Sequence, residues 1–447
     1  MLKKTLTRLV TLVLLVTLVF ALPAIAAEPS DLKTDIIWAH FPWNYTGTFD
    51  TEAEWVESII AKLHEQYPNV NVEFESIPWD NWQAKISTGI ASGTGPDIFG
   101  FGSWIAANYK DYLYPIDDFL SPEDLADFLP SALDAGKVDG DIYVWPWMHQ
   151  GVNLIVNLDL CAERGVELPD NPEGDWTLEE FLSACDKLTF DRDGNGKIDV
   201  YAFPLYGVDT NVNWGMTSIL GNFGGELFSE DKLWAASDNP ENLAALEFIL
   251  QLQDEFQYSP PGAAGLSRDE CSQMFINGQI AMGLNTGDFS SALTRAVNEG
   301  QIDEPFEFRY MQFPVVPGRE ISCTRIGPTG YVVFRQPGND ADARREAAMA
   351  LCSILVSREE LLFPNESGRF VPVRSSHAGL YSIYPNYVAA ERGKVFFDAI
   401  VEETVYEMEL MNLYQSVMNH SVTPKEALEI FDQTVNEKIQ KIYDDAA

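Results

Sequence analysis

Short apolar runs and longer stretches of helical spacing alternate between about residues 35 and 101. The spacing predicts a strand at Asp35–Ala39 and a helix from about Thr51 to Tyr67. A period-two strand carrying Val70, Val72 and Phe74 follows, then a helix over Asn81–Ser92 and a buried strand at Ile98–Phe101. Strand and helix alternating at this pitch predict a parallel sheet covered on both faces, because each parallel step needs a crossover long enough for a helix.

Helix starts are marked by their own chemistry. Thr177 with Glu180 makes a capping box, Ser121 precedes Pro122 at a first helical position, and Thr423-Pro424 with Glu426 combines both signals. The last segment therefore reads as a helix over Pro424–Tyr443, with Ala427, Leu428, Ile430, Phe431, Val435 and Ile439 available for packing. Further back, Met274–Gly287 (MFINGQIAMGLNTG) predicts a helix end, a turn at Gly278, a short strand at Ile280, Ala281 and Met282, and a glycine-punctuated loop beyond it. In α/β sheets a loop at the carboxyl end of a strand is where ligands sit.

The N-terminus is patterned differently. Lys3, Lys4 and Arg8 precede an apolar run from Leu9 to Ala21 and the small-residue stretch Ala24-Ile25-Ala26-Ala27, which predicts an export signal over residues 1–26. No cysteine lies near that site, the first being Cys161, so a lipid anchor has no attachment point there and a periplasmic location is expected, with secretion as the alternative. About 420 residues would remain, more than one core usually supports, so two domains are expected. Removing the three basic residues takes the formal charge from -39 to -42, which repels nucleic acid and disfavours an anionic cargo. Five cysteines without CxxC spacing leave at least one free thiol and argue against zinc; Cys161 and Cys185 remain candidates for a pair.

Eleven tryptophans are many for this length, and several fall where the alternation places loops at strand ends. Trp43, Trp79, Trp104, Trp147 and Trp214 are interleaved with Asn44, Asp80 and Asp288. Sugar rings present apolar C–H faces edged by hydroxyls, so aromatic faces beside planar polar groups suit a carbohydrate. A second motif, Asp191-Arg192-Asp193-Gly194-Asn195-Gly196-Lys197-Ile198-Asp199, matches the first nine positions of an EF-hand calcium loop. Asp191, Asp193, Asn195, the Lys197 carbonyl and Asp199 are the candidate ligands for Ca2+, while Ala202 stands where the bidentate Glu belongs. A tight solvated turn is the competing reading.

Several motifs in register with MFINGQIAMGLNTG carry a family resemblance. They are Ser92–Phe99 (SGTGPDIF), Asp141–Pro146 (DIYVWP) with Asn157–Leu160 (NLDL), Gly330–Phe334 (GYVVF) and Ser367–Val373 (SGRFVPV). In this order they resemble family 1 of the extracellular solute-binding proteins, the carbohydrate-binding, maltose-binding-protein-like components of bacterial ABC importers. The resemblance implies a two-lobed α/β fold of the type II periplasmic-binding-protein class, each lobe a mixed, mainly parallel sheet flanked by helices. It implies an N-terminal lobe of 28–148 plus 314–372 and a C-terminal lobe of 149–313 plus 373–447. The lobes would be joined by extended crossings near Trp147–Val152, Phe313–Gly318 and Phe370–Val373. It further implies a monomer that closes on a sugar, with Trp43, Asn44, Trp79, Asp80, Trp104, Trp147, Trp214 and Asp288 at the ligand, and that partners ABC permease subunits. The family usually has a tryptophan just after the glycine of the loop that follows the MFINGQIAMG strand, where this chain has Asp288 and Phe289 after Gly287.

Two other classes compete. A secreted carbohydrate-active enzyme would share the export signal and the tryptophans, yet no HExxH, GxSxG or GxxxxGK[ST] motif is present and no catalytic carboxylate pair stands out. A peptide or metal binder on the same scaffold would want clustered histidines, and only His40 and His149 lie near the expected cleft.

Overall fold

The computed structural model describes residues 29–41, 49, 51–78, 82–102, 104–171, 174–208, 214–227, 235–285, 289–366, 372–377, 393–394 and 403–446. The expected export signal lies outside the described residues. The expected alternation is present: β1 (Lys33–His40), a helix over Glu52–Gln66, β2 (Asn69–Ser76), a helix over Trp82–Ser92 and β3 (Ile98–Gly102). Thr51 caps the first of these helices by accepting the Glu54 N–H. The chain continues through a two-residue hairpin pair, β4 (Lys137–Val138) and β5 (Asp141–Ile142), to β6 (Trp145–Gly151), β7 (Asn153–Asn157), β8 (Met282–Asn285), β9 (Phe308–Met311), β10 (Thr324–Val333) and β11 (Gly393–Lys394).

These strands form two main sheets. The first runs in the order β11-β10-β3-β1-β2, with β6 also paired to β10. Here β1 is parallel to β2 and β3, while β10 is antiparallel to β3 and β6, so the lobe is mixed as expected. The second sheet, β8-β7-β9, departs from the mainly parallel expectation: both of its pairings are antiparallel. Its parallel partner is reduced to a bridge between Tyr201 and Ile280, which is why the strand expected at Ile280–Met282 is recorded from Met282 onward.

The glycines of SGTGPDIF have a packing reason. A Cβ on Gly89 would meet the Gly95 Cα at 2.8 Å, so helix and loop touch backbone to backbone. The loop then delivers Asp97, 1% exposed, whose carboxylate accepts the Ile37 N–H at 2.7 Å and both a 2.8 Å and a 2.7 Å bond from Arg344. This fastens β3 to β1 and to the helix Ala341–Leu355.

Each sheet carries its own core. Trp38, Ile59, Trp145, Tyr331 and Leu351 belong to one cluster around the first sheet; Leu154, Phe181, Leu220, Tyr414 and Phe431 belong to another around the second. Gln312 and Val315 still belong with the second lobe, since the Trp176 indole donates to the Gln312 carbonyl at 2.8 Å and Val315 pairs with Thr177. Val373 lies in the first core and Arg374 pairs with Phe128, so the chain has not left the first lobe at 372–377. The reason is the Arg374 guanidinium: it is 1% exposed, stacked 3.8 Å from the Phe128 ring and bonded to Asp127 at 3.1 Å, and it holds this segment down. The final helix runs over Pro424–Ala446 with the expected Thr423–Glu426 capping box, but Ile430 is 53% exposed rather than packed.

Candidate functional site

Strand direction places the site. Because β1, β2 and β3 are parallel, their ends at His40, Ser76 and Gly102 lie on one edge of the first sheet. β6 is antiparallel to β10, which is antiparallel to β3, so β6 also ends on that edge and β10 begins there. The first crossing, Gly151–Asn153, and the entry to β10 at Thr324 are therefore on the same edge as the three strand ends. The second lobe meets this edge with a matching one. Asn153 at the start of β7 pairs with Asn285 at the end of β8, so β8 ends beside the crossing. The helix Trp214–Phe223 starts beside β8: the Gly215 N–H donates to the Tyr206 hydroxyl at 3.1 Å, and a Cβ on Gly215 would meet Leu284 at 2.6 Å.

Trp43, Asn44, Trp79, Asp80 and Asp288 lie outside the described residues, as do the side chains of Trp104 and Trp214, which open their helices. In the sequence these positions follow β1, β2 and β8 or open the helix after β3 and the helix Trp214–Phe223. Trp147 is a different case. It is 6% exposed, edge-on to His40 with ring centroids 5.0 Å apart and 5.3 Å from the Tyr331 ring, so its faces are used in packing the first lobe. Its alternation partner on β6, Trp145, is 2% exposed, and the core claims both.

The two histidines near the crossing are neutral packing groups. Burial pushes His40 down to about 3, against a smaller opposing effect of its 2.7 Å hydrogen bond with the Phe41 carbonyl, and burial pushes His149 down to about 4. Gly100 makes room for His40, since a Cβ there would lie 2.7 Å from the imidazole.

Sequence reasoning missed three polar residues between the lobes. The Thr324 hydroxyl donates to the Val152 carbonyl at 2.5 Å and meets the Ser218 hydroxyl at 3.3 Å. Asn222 bonds the Pro314 carbonyl and the Cys323 N–H. The signal was present in the polar residues of MTSILGNF, an otherwise apolar helix.

The Asp191 loop lies on the second lobe. The side-chain oxygens of Asp191, Asp193 and Asp199 come within 4.8 Å of one another, the one such cluster among the described residues. Asp191 accepts the N–H groups of Gly194, Asn195 and Gly196, and Asn195 accepts that of Lys197 at 2.9 Å. These bonds, that of Gly196 foremost, hold the Asp191 carboxyl below its usual range. Cys161 and Cys185 are unpaired and buried, with burial pushing the Cys161 thiol up to about 11.

Two lobes, each with its own sheet and core, joined by extended strands beside a shared edge, define a two-lobed binding protein. The profile of the family described as bacterial extracellular solute-binding protein matches residues 49–352, and the chain belongs to that family. It is 23% identical over 324 residues to a putative binding protein of Brucella abortus, covering 72% of this chain and 73% of that one. It is 24% identical over 240 residues to the mannitol-binding protein of Pseudomonas aeruginosa, 52% of each. Among solved structures, the cyclic alpha-maltosyl-1,6-maltose binding protein from Arthrobacter globiformis superposes with a TM-score of 0.72 at 20% identity, covering 92% of this chain and 100% of that chain.

Proposed function

We propose that this chain captures a neutral carbohydrate, an oligosaccharide, between its lobes and delivers it to the permease of an ABC importer, working outside the inner membrane as a monomer. The observation that carries this reading is that β1, β2, β3 and β6 all end on one edge of the first sheet, beside Thr324 and the helix Trp214–Phe223, and the sequence sets Trp43, Trp79 and Trp104 directly after three of those strand ends. Aromatic faces beside amide and carboxylate groups suit sugar rings, and the charge of -39 disfavours anions. The names of relatives that bind mannitol and a cyclic maltosyl sugar support the same class. Titrating the purified chain with mannitol, maltotriose and diacetylchitobiose while following tryptophan fluorescence is the test. Saturable binding without released products is expected, together with a smaller radius of gyration by scattering. Trp104→Ala and Trp214→Ala should each lose at least about tenfold in affinity, on the order of 2 kcal/mol. Product release would make the chain an enzyme, and intact affinity in both variants would move the site elsewhere.

We further propose that Asp191, Asp193, Asn195, the Lys197 carbonyl and Asp199 hold a structural Ca2+. The donor set is all oxygen, three of the groups are carboxylates, and the hydrogen bonds within the loop already gather them. Because a ligand of the native state adds RT ln(1 + [L]/Kd), chelation with EDTA should lower the melting temperature. Asp193→Ala should abolish that shift. A melting temperature indifferent to both makes the loop a turn and nothing more.

A further inference from the structure

The helix Trp214–Phe223 links the cleft to the hinge. Its first turn begins at the lobe edge beside Leu284, and its last turn carries Asn222, which is 2% exposed. The Asn222 amide donates to the Pro314 carbonyl at 2.7 Å, and its oxygen accepts the Cys323 N–H at 3.0 Å. One carboxamide thus closes both ends of the connector that leads from the second lobe to β10. Between those ends the chain turns at Gly318, φ +88°, and exposes Ile321 to 51%. The helix finishes in a Schellman motif, with Gly225 N–H bonded to the Leu220 carbonyl and Gly224 N–H to that of Gly221. Gly224 also leaves room for the connector's Arg319, whose guanidinium a Cβ there would meet at 2.4 Å.

We propose that Asn222 is a positioning residue for lobe closure: it makes the connector Pro314–Cys323 part of the second lobe and confines the pivot to the step at Val152 and Thr324. The Thr324 hydroxyl joins the two crossing strands at that step, and Ser218, on the same helix as Asn222, meets it. A carboxamide is required because one end of the connector offers an acceptor and the other a donor. Aspartate retains the acceptor but sets a lone pair against the Pro314 carbonyl, and leucine offers neither bond. With the clamp gone, the connector gains freedom, the ligand-free lobes sample more angles, and the fraction poised to close falls. Apparent affinity falls with that fraction.

This rests on the cleft-closing reading above, so the deciding measurement is made without sugar. Spin labels on Asp118→Cys in the first lobe and Glu429→Cys in the second report the interlobe distance in the full chain; both positions are exposed and the native cysteines are buried. Asn222→Asp and Asn222→Leu should broaden the ligand-free distance distribution and weaken maltotriose binding fivefold or more. An unchanged distribution in both folded variants overturns the proposal. Should neither variant fold, hydrogen exchange on the unmodified chain decides: the Cys323 amide should be as protected as the amides of the helix Trp214–Phe223, with or without maltotriose, and loop-like exchange overturns the clamp. A broadened distribution in variants of a chain that binds no sugar keeps Asn222 in its role and sinks the cargo reading alone.

Discussion

The two lobes solve the same packing problem with different polar devices. The first lobe is gathered from distant stretches of chain, and buried ion pairs sit where they meet: Asp97 with Arg344 and Asp127 with Arg374, each pair 247 residues apart. The second lobe is also built from distant stretches, taking in the C-terminal helices, but it relies on local caps and backbone donors, with reciprocal capping boxes at Thr177, Ser267 and Thr423. Its buried carboxylate, Asp432, is held by the backbone N–H groups of Ala236 and Ser237. Hydrophobic burial does not choose between alternative seatings of a remote segment, whereas a charge that must be paired does. Both lobes are discontinuous, and the contrast teaches that a buried charge can mark a joint in two ways, paired with a remote guanidinium in the first lobe and held by remote backbone N–H groups in the second.

The largest effect expected from this contrast is at Arg374. Its guanidinium bonds Asp127 at 3.1 Å, Asp124 at 2.9 Å and the Val356 carbonyl at 2.7 Å, while Asp127 also takes Arg358, Ser375 and Ser376. Arg374→Ala leaves Asp127 short of its buried partner and should cost about 3–5 kcal/mol, read as a lower urea midpoint. A loss under about 1 kcal/mol would mean that the joint is held by packing alone.

Acid should separate the lobes next. His40 and His149 are both in the first lobe and are held at about 3 and about 4, so between those values and the unfolded value near 6.5 the unfolded state binds more protons. Stability of that lobe therefore falls as pH drops below about 6.5, by up to about 1.4 kcal/mol per pH unit for each group. Asp127 adds to this at lower pH. Burial raises its carboxyl, but the bonds from Arg358, Ser376 and Arg374 outweigh burial, so its contribution is lost below about 3.9. Asp432 has the opposite sign: burial pushes it up, and its effect is a gain on acidification. Peptide-level hydrogen exchange over a pH series should show the first lobe opening first, and equal loss in both lobes would break the comparison.

What was legible in the sequence follows the same division between local and remote. β1, β2, β3 and the helices between them lie within two residues of the periodicity reading, because strand alternation and helix spacing are properties of neighbours. The capping boxes at Thr177 and Thr423 were legible for the same reason. The seating of Arg374 in the first lobe was not, since its partner Asp127 is 247 residues away. Nor was the packing of Trp147, whose ring the core and the cleft would use equally well. The antiparallel second sheet was hidden too, since MFINGQIAMG marks a strand without giving its partner's direction.

The smallest predicted effect concerns Ile430, where the helix Pro424–Ala446 departs from the packing expectation. At about 100° per residue, Ala427, Leu428, Phe431, Val435 and Ile439 fall within a stripe of about 120°. Those five are 8% exposed or less, whereas Ile430 lies outside the stripe and is 53% exposed. Its position three residues after Ala427 made it look like a packing residue, but the stripe is set by the run through Leu428, Phe431 and Val435. Ile430→Lys therefore removes no buried contact, places a cation on a chain of formal charge -39, and should change stability by no more than about 0.5 kcal/mol. The urea midpoint beside that of Arg374→Ala gives the scale. A cost above about 1 kcal/mol, growing with protein concentration, would show that this face is covered by a second copy and would replace the proposed monomer with a dimer.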